Sequence, residues 1–354
     1  MDLAGRVIAI ALAFGVTVFV HEMGHYLAAR LVRMKIHEFS IGFGRPLLFW
    51  FRRGDTQYSF RLWPFFSYVR IAGMEPGDDH PDGFYRKRRP AQALVLVSGC
   101  AMNFAQAVLI YVLVGALIGM PAVLPAIQEV LPGSPAAEAG LRAGDRILGL
   151  DGEMNLSVRQ IQQRIQDRPG RPVTVEVERD GARLSITMTP RAEVVYDMRG
   201  LRLFETEVGR IGILFGTRLE RAGIGRSIRV GFVQTYQIVR LQAAALVGMI
   251  ARTVPADLVG PVGVVHAMYG EAKQSWFQFF TTFAAITVAI GSLNLLPIPP
   301  LDGSRLVIVG LEALRRRPFD KQKEVWIHLI GFALLLALVA VLTLKDIIRI
   351  VGGG

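Results

Sequence analysis

The sequence predicts a polytopic α-helical membrane protein of four transmembrane helices, with one soluble α+β domain inserted among them. Three observations carry that prediction. Of 354 residues, 52% are hydrophobic, at the upper edge of what soluble domains hold. Four apolar runs, about Gly5 to Ala29, Ala93 to Met120, Phe277 to Leu296 and Val325 to Leu344, are long enough as helices to cross a hydrocarbon core of about 30 Å. Between the second and third runs, from about Pro121 to Trp276, lies a polar, turn-rich stretch that no span explains.

The first run contains VIAIALAFGVTVFV from Val7 to Val20, without a charge. It passes into His21 with no small-x-small site after it, so it reads as a retained span rather than a cleaved leader. The net charge is +11, mostly arginine. Arg30, Arg33, Lys35, Arg45, Arg52, Arg53, Arg61, Arg70 and the run Arg86-Lys87-Arg88-Arg89 fall between the first two spans. Arg305, Arg315, Arg316, Arg317, Lys321 and Lys323 fall between the last two. Cations that flank apolar runs rather than forming one basic face argue against a nucleic-acid partner. By the positive-inside rule both loops are cytoplasmic, which places the termini and the insert on the extracytoplasmic side.

Within the first loop, Gln57 to Ile71 is aromatic and β-prone around Pro64. Two readings fit it: a hairpin or membrane-dipping loop, and an interfacial aromatic belt. After the insert, Ile224 to Ile250 sets Ile228, Phe232, Val239, Ala243, Leu246 and Ile250 against Arg226, Arg229, Gln234, Gln237 and Arg240. That pattern suits an amphipathic helix lying on the membrane surface, since a fifth span would break the charge topology. Cys100 is the only cysteine, so no intramolecular disulfide forms.

The chemistry is concentrated at His21-Glu22-Met23-Gly24-His25, near the far end of the first span. Two histidines four residues apart share one helix face, where both imidazoles can reach one Zn²⁺ at about 2.0–2.1 Å. Glu22 then stands beside the metal as general base for a water, the HExxH arrangement of peptidases. Three ionisable groups in or near hydrocarbon are costly and mark function. A catalytic zinc needs a third protein ligand. Asn294 to Gly303 reads NLLPIPPLDG, where prolines break the third span and Asp302 is the acidic residue near its cytoplasmic end. Alone, Asp-Gly reads as a turn or helix cap. At the same depth as His21 and His25, the ligand reading prevails. His37, His80, His266 and His328 read as solvated or packing residues.

The insert carries GSPAAEAGLRAGDRI from Gly133 to Ile147. A polar helix follows at about Ser157 to Arg168, then strands Pro172 to Arg179 and Arg183 to Thr189 across an Asp180-Gly181 turn. This grammar resembles a PDZ domain of the bacterial, circularly permuted kind. PDZ domains bind extended peptides at a sheet edge, so the insert is either a substrate filter and docking site or an accessory that occludes the membrane site.

Together HEMGH, NLLPIPPLDG, the PDZ-like insert and EFSIGFG at Glu38 to Gly44 resemble the site-2 protease family of intramembrane zinc metalloproteases, over nearly the whole chain. The resemblance implies a bacterial inner-membrane protein with zinc held by His21, His25 and Asp302 and with Glu22 as base. It further implies cleavage inside single-span proteins such as anti-sigma factors or remnant signal peptides. Asn294 matches the family asparagine that holds substrate backbone, and Tyr68 and Pro297 are carried over as substrate-binding residues from the matching stretches. The Gln57 to Ile71 piece matches the family's membrane-associated β-loop. Departures are Ser304 for a second glycine, Ser67 for a glycine, and Cys100 for a proline in the Gly-x-x-x-Asn motif that ends at Asn103. They bear on the substrate channel, not the ligands. The corresponding domains are 1–120, 121–192 for the PDZ-like insert, 193–256 and 257–354. The competing class, a membrane scaffold with a vestigial site, predicts a lost base or ligand, and none is lost.

Overall fold

The computed structural model describes residues 3–75, 77–199, 202–252 and 258–352. The chain forms two compact units, one of Met1–Val114, Ile224–Ala245 and Arg252–Gly354, the other of Gly115–Gly223 with Leu246–Ala251. The boundary drawn at 256/257 lies outside the described residues.

Helix α1 (Leu3–Leu31) opens the first unit. It closes in a Schellman turn: Arg33 takes φ 54 and the Met34 N–H reaches Ala29 O at 2.8 Å. The chain then enters β1 (Ile36–Arg53) and returns as β2 (Thr56–Ile71). The aromatic stretch is therefore a hairpin, and its partner strand carries the EFSIGFG motif. Residues 38–41 are paired on both sides, by 57–60 and by 67–70, Ile36 pairs Ile71, and 47–53 pair again with 56–61. The segment 67–71 is thereby left as an edge. At the far end Leu48, Phe49 and Trp50 are more than half exposed.

Helix α2 (Arg89–Leu117) ends three residues before the limit expected from hydropathy. Gly119, at φ 112, turns the chain, and Met120 begins a strand instead of ending a span.

The second unit runs β3 (Met120–Val130), α3 (Pro135–Glu138), β4 (Arg146–Leu150), β5 (Glu153–Met154), α4 (Val158–Gln166), β6 (Val173–Arg179), β7 (Ala182–Met188), β8 (Arg191–Arg199), β9 (Arg202–Arg210) and β10 (Ile213–Glu220). Its main sheet has the order β10-β3-β4-β6-β7, with β5 beside β4, and β8–β9 form a separate hairpin. Local chemistry explains the pieces. Ser134 caps α3 with Pro135 at the first turn, and Ser157 with Gln160 builds a capping box on α4. Asp180 and Gly181, at φ 52 and 79, make the left-handed pair that a two-residue hairpin demands. The core of Ile127, Leu150, Ile161, Val173, Val175 and Val177 comes from the inward face of the strands and one stripe of α4. One correction follows. The end set at residue 192 is too early, because β10 pairs along β3 and completes the sheet. The β8–β9 excursion separates it in sequence from the recognisable motif.

Helix α5 (Ile224–Ile250) follows. It buries the small residues Ser227, Gly231 and Thr235 and leaves Ile228 and Phe232 at 40% and 63% exposure, an apolar face available to lipid. Then come α6 (Pro261–Gln274), α7 (Trp276–Asn294), α8 (Asp302–Arg315) and α9 (Lys321–Val351). Among the described residues, four helices are long and apolar enough to cross a membrane: Ala4–Leu31, Arg89–Leu117, Trp276–Asn294 and Lys321–Val351.

Close approach, not apolar burial, brings membrane helices together. A Cβ at Gly24 would strike the Ser98 carbonyl, so α1 meets α2 backbone to backbone. Thr17 and Thr287 share a hydrogen bond at 3.2 Å between α1 and α7. Glu312 on α8 accepts from the Phe319 N–H at 2.6 Å and pairs with Arg89 at 2.5 Å, fastening α8 to the start of α2. Tyr26, Phe39, Ile71, Phe84, Val95 and Val309 pack in one cluster under these contacts.

Candidate metal centre

The sequence places His21 and His25 one turn apart on α1, and the fold brings the first residue of α8 to them. His21 Nε2 lies 3.0 Å and His25 Nε2 3.1 Å from Asp302 Oδ2, and the two Nε2 atoms are 3.1 Å apart. Both rings are buried, at 7% and 6% exposure. Three donor atoms converge on one point from residues 281 positions apart in the chain. The spacing is close to the roughly 3.3 Å that a tetrahedral ion with ligands at about 2.0–2.1 Å imposes. Two imidazoles and one carboxylate with a fourth position free are the ligand set of a catalytic zinc, so the donor set fits the metal.

The surroundings tune that set. His25 Nδ1 donates to the Val95 carbonyl at 2.7 Å, and since a carbonyl only accepts, Nε2 keeps its lone pair for a metal. A Cβ at Gly99 would lie 2.5 Å from His25 Nε2 and 2.8 Å from His21 Cε1, so only glycine leaves room for both rings. At Gly303 a Cβ would strike the carbonyls of Leu295 and Leu296, and that contact lets α8 start tightly against the proline-broken end of α7. The broken helix the sequence predicts is observed: α7 stops at Asn294 and α8 begins at Asp302.

Glu22 accepts the Val69 N–H at 3.1 Å beside the donor triangle. Its carboxylate is within 4.8 Å of both histidine donors. A cavity of about 300 Å³ opens there, lined by Glu22, His25, Tyr68, Val69, Asp302 and Arg305 among others. Val69 belongs to the edge segment of β2, so an unpaired strand edge runs along the cavity. A polar network beneath stiffens that edge. Glu38 accepts from Ser59 at 2.6 Å and Arg61 at 2.8 Å, and the Arg61 guanidinium sits 5.7 Å over the Tyr68 ring. Burial works against the Glu38 charge, but the hydrogen bonds from Ser59, Arg61 and Tyr68 outweigh it and hold the carboxyl below its usual range.

The sequence-predicted residues thus divide. His21, Glu22, His25, Tyr68 and Asp302 come together. Asn294 is half-buried at the end of α7 and Pro297 is exposed in the turn after it, and neither lines the cavity. Cys100 is fully buried, its sulfur within 4.8 Å of His21 and Asp302 donor atoms. Sequence reasoning missed Val95 O and Val69 N–H, which are backbone groups with no side-chain signature. It also missed Gly99, whose role appears only once two rings are packed against it. Of the remaining histidines, His37 pairs with Asp78 at 2.9 Å and His328 lies 3.7 Å from Glu324, both away from the triangle.

Four candidate spans around a buried His₂-carboxylate set with an adjacent glutamate define the class: a membrane-embedded metallohydrolase. The model of peptidase family M50 matches residues 9–338. Similar proteins include the zinc metalloprotease RasP of Geobacillus kaustophilus, 30% identical over 96% of this chain and 97% of that protein. Metalloprotease MmpA of Caulobacter vibrioides is 30% identical, with 98% of this chain and 97% of that protein covered. Among solved structures, the PDZ domain of an SdrC-like protein from Listeria monocytogenes aligns at 24% identity and a TM-score of 0.20, covering 25% of this chain and 84% of that one. The chain belongs to peptidase family M50, the site-2 proteases, and is a metalloendopeptidase.

Proposed function

We propose that this chain is an intramembrane zinc metalloprotease that cuts peptide bonds inside the transmembrane segments of single-span proteins. The observation that carries the proposal is the meeting of Asp302 with His21 and His25. These three residues would hold a Zn²⁺, whose chemistry when bound would be to lower the pKa of a water and to act as a Lewis acid toward the scissile carbonyl. Glu22 takes the proton of the attacking water and delivers it to the leaving amine. The Val69 N–H holds the Glu22 carboxylate toward the donor triangle while it does so.

A helix in lipid hides its backbone in hydrogen bonds, so a substrate must unwind to be cut. The β2 edge beside Glu22 offers such a segment replacement partners, with Tyr68 on the cavity wall and Asn294 and Pro297 guiding it from the end of α7. The second unit acts as a PDZ-like docking module. A groove of about 730 Å³ runs between α4 (Gln162, Ile165, Gln166) and the start of β10 (Ile211, Ile213, Phe215), where an exported tail can add a strand. The protein resides in the bacterial inner membrane, with its termini and docking module extracytoplasmic and its centre toward the cytoplasm. Anti-sigma factors and remnant signal peptides are the substrate class.

The test is cleavage of a single-span protein by the purified chain in proteoliposomes, with comparative membrane proteomics of cells carrying wild type or Glu22→Gln. Single-span fragments accumulating only in the variant support the proposal. Full cleavage by Glu22→Gln would refute it.

A further inference from the structure

His21 and His25 occupy equivalent places in the donor triangle but are held differently at their far nitrogens. A neutral imidazole carries one N–H and one lone pair, and a ring that offers Nε2 to a metal must have its N–H at Nδ1. For His25 the Val95 carbonyl enforces this. For His21 the neighbour of Nδ1 is a side chain, Asn103 of α2, whose amide Nδ2 stands 3.4 Å away. An amide N–H₂ directed at Nδ1 would place the ring proton on Nε2 and take the lone pair away from the metal point.

Asn103 is completely buried, and its Oδ1 has no hydrogen-bond partner among the described residues. A buried polar atom left without a partner forfeits its hydration with nothing in return. A half-turn of the amide group about its Cβ–Cγ bond, which exchanges oxygen and nitrogen and leaves the side-chain shape unchanged, answers both points at once. The carbonyl oxygen then faces Nδ1, accepts its N–H, and leaves Nε2 bare. Asn103 lies where α7 passes close to α2, since a Cβ at Gly291 of α7 would come to 3.1 Å from Asn103 Cβ. An amide in the middle of an apolar span is costly, and no other function of the site uses it.

We infer that Asn103 is a positioning residue for the metal: its Oδ1 accepts the Nδ1–H of His21 and fixes the ring tautomer that ligates. This rests on the zinc reading of His21, His25 and Asp302. It makes α2 the source of both tautomer locks, a backbone carbonyl for His25 and one replaceable side chain for His21.

The experiment measures zinc affinity by chelator competition on the full-length chain in detergent, for wild type, Asn103→Leu and Asn103→Asp, with thermal stability of the metal-free proteins alongside. Asn103→Leu removes the acceptor, and zinc affinity is expected to fall about 10- to 100-fold, the usual cost of losing such a partner. Asn103→Asp keeps an acceptor and loses the donor, and affinity is expected to stay within about threefold of wild type. Asn103→Leu at wild-type affinity would overturn the inference. So would an Asn103→Asp chain that folds, by its metal-free melt, yet loses as much affinity as Asn103→Leu, since Asn103 would then act as donor or as packing. Should Asn103→Leu fail to fold, the Asn103→Asp result decides alone. A wild-type chain that binds no zinc would instead sink the parent reading, so the two failures are distinguishable.

Discussion

Both units withdraw carboxylates from solvent, wholly at Asp145 and partly at Asp302 and Glu22, and they use them in opposite ways. In the second unit Asp145 is 1% exposed and fully answered: Arg179 donates to it at 2.6 and 2.7 Å and the Arg142 N–H at 2.8 Å. Its charge closes a turn and adds nothing chemical. In the first unit Asp302 faces two imidazole nitrogens that lack any cation of their own unless protonated, and Glu22 has one backbone N–H. What separates structure from chemistry is thus not burial but whether the charge is satisfied by a fixed cation. An apolar membrane interior makes that distinction sharper, since an unsatisfied group there persists only where it is used.

The comparison breaks most visibly by exchanging the effects of substitution. Glu22→Gln should lower cleavage of a reconstituted substrate by about 10²–10⁴-fold, the range for a lost general base, with melting temperature and zinc content unchanged. Asp145→Ala should do the reverse. It should cost about 1.5–3 kcal/mol of stability in urea unfolding of the full chain, as for lost charged hydrogen bonds, while zinc content stays at the wild-type level. A loss of zinc on Asp145→Ala would erase the contrast. A smaller effect comes from Gly99→Ala, whose methyl intrudes on both rings. Overpacking of about 1–3 kcal/mol translates to about 5- to 150-fold weaker zinc binding by chelator competition, with the apo fold retained.

The smallest effect concerns acid. Burial opposes the Asp145 charge, but Arg179 and the Arg142 N–H overcome it and hold its carboxyl below the usual value. A depressed carboxyl stabilises the fold fully above its unfolded value of about 3.9 and loses that contribution as pH falls through the folded value. Unfolding midpoints of wild type should therefore drop between pH 6 and pH 3 by more than those of Asp145→Asn. Equal drops would remove Asp145 from the list of acid-sensitive groups.

These residues also mark how much was legible beforehand. HExxH on an apolar run and Asp302 after a proline-broken span were readable because helix periodicity and membrane thickness fix where such side chains point and how deep they lie. The Asp180-Gly181 hairpin and the caps at Ser134 and Ser157 were readable because turn and cap chemistry is local. Strand β10 was not, because its pairing with β3 is set by a contact across some 90 residues rather than by anything within it. The helix α6 and the Asp346 carboxylate that accepts from Gly260 and Gly263 N–H groups at its start were hidden for the same reason. Val69 and Val95 act through backbone atoms, to which a sequence pattern is blind.

The proposed function requires α1 and α8 to share one ion, and zinc content of the purified full-length chain reads it directly. Elemental analysis after dialysis should find about one zinc per chain in wild type and in Glu22→Gln, and essentially none in Asp302→Ala, the count a single three-ligand site predicts. Zinc retained by Asp302→Ala at wild-type stoichiometry and affinity would contradict the account.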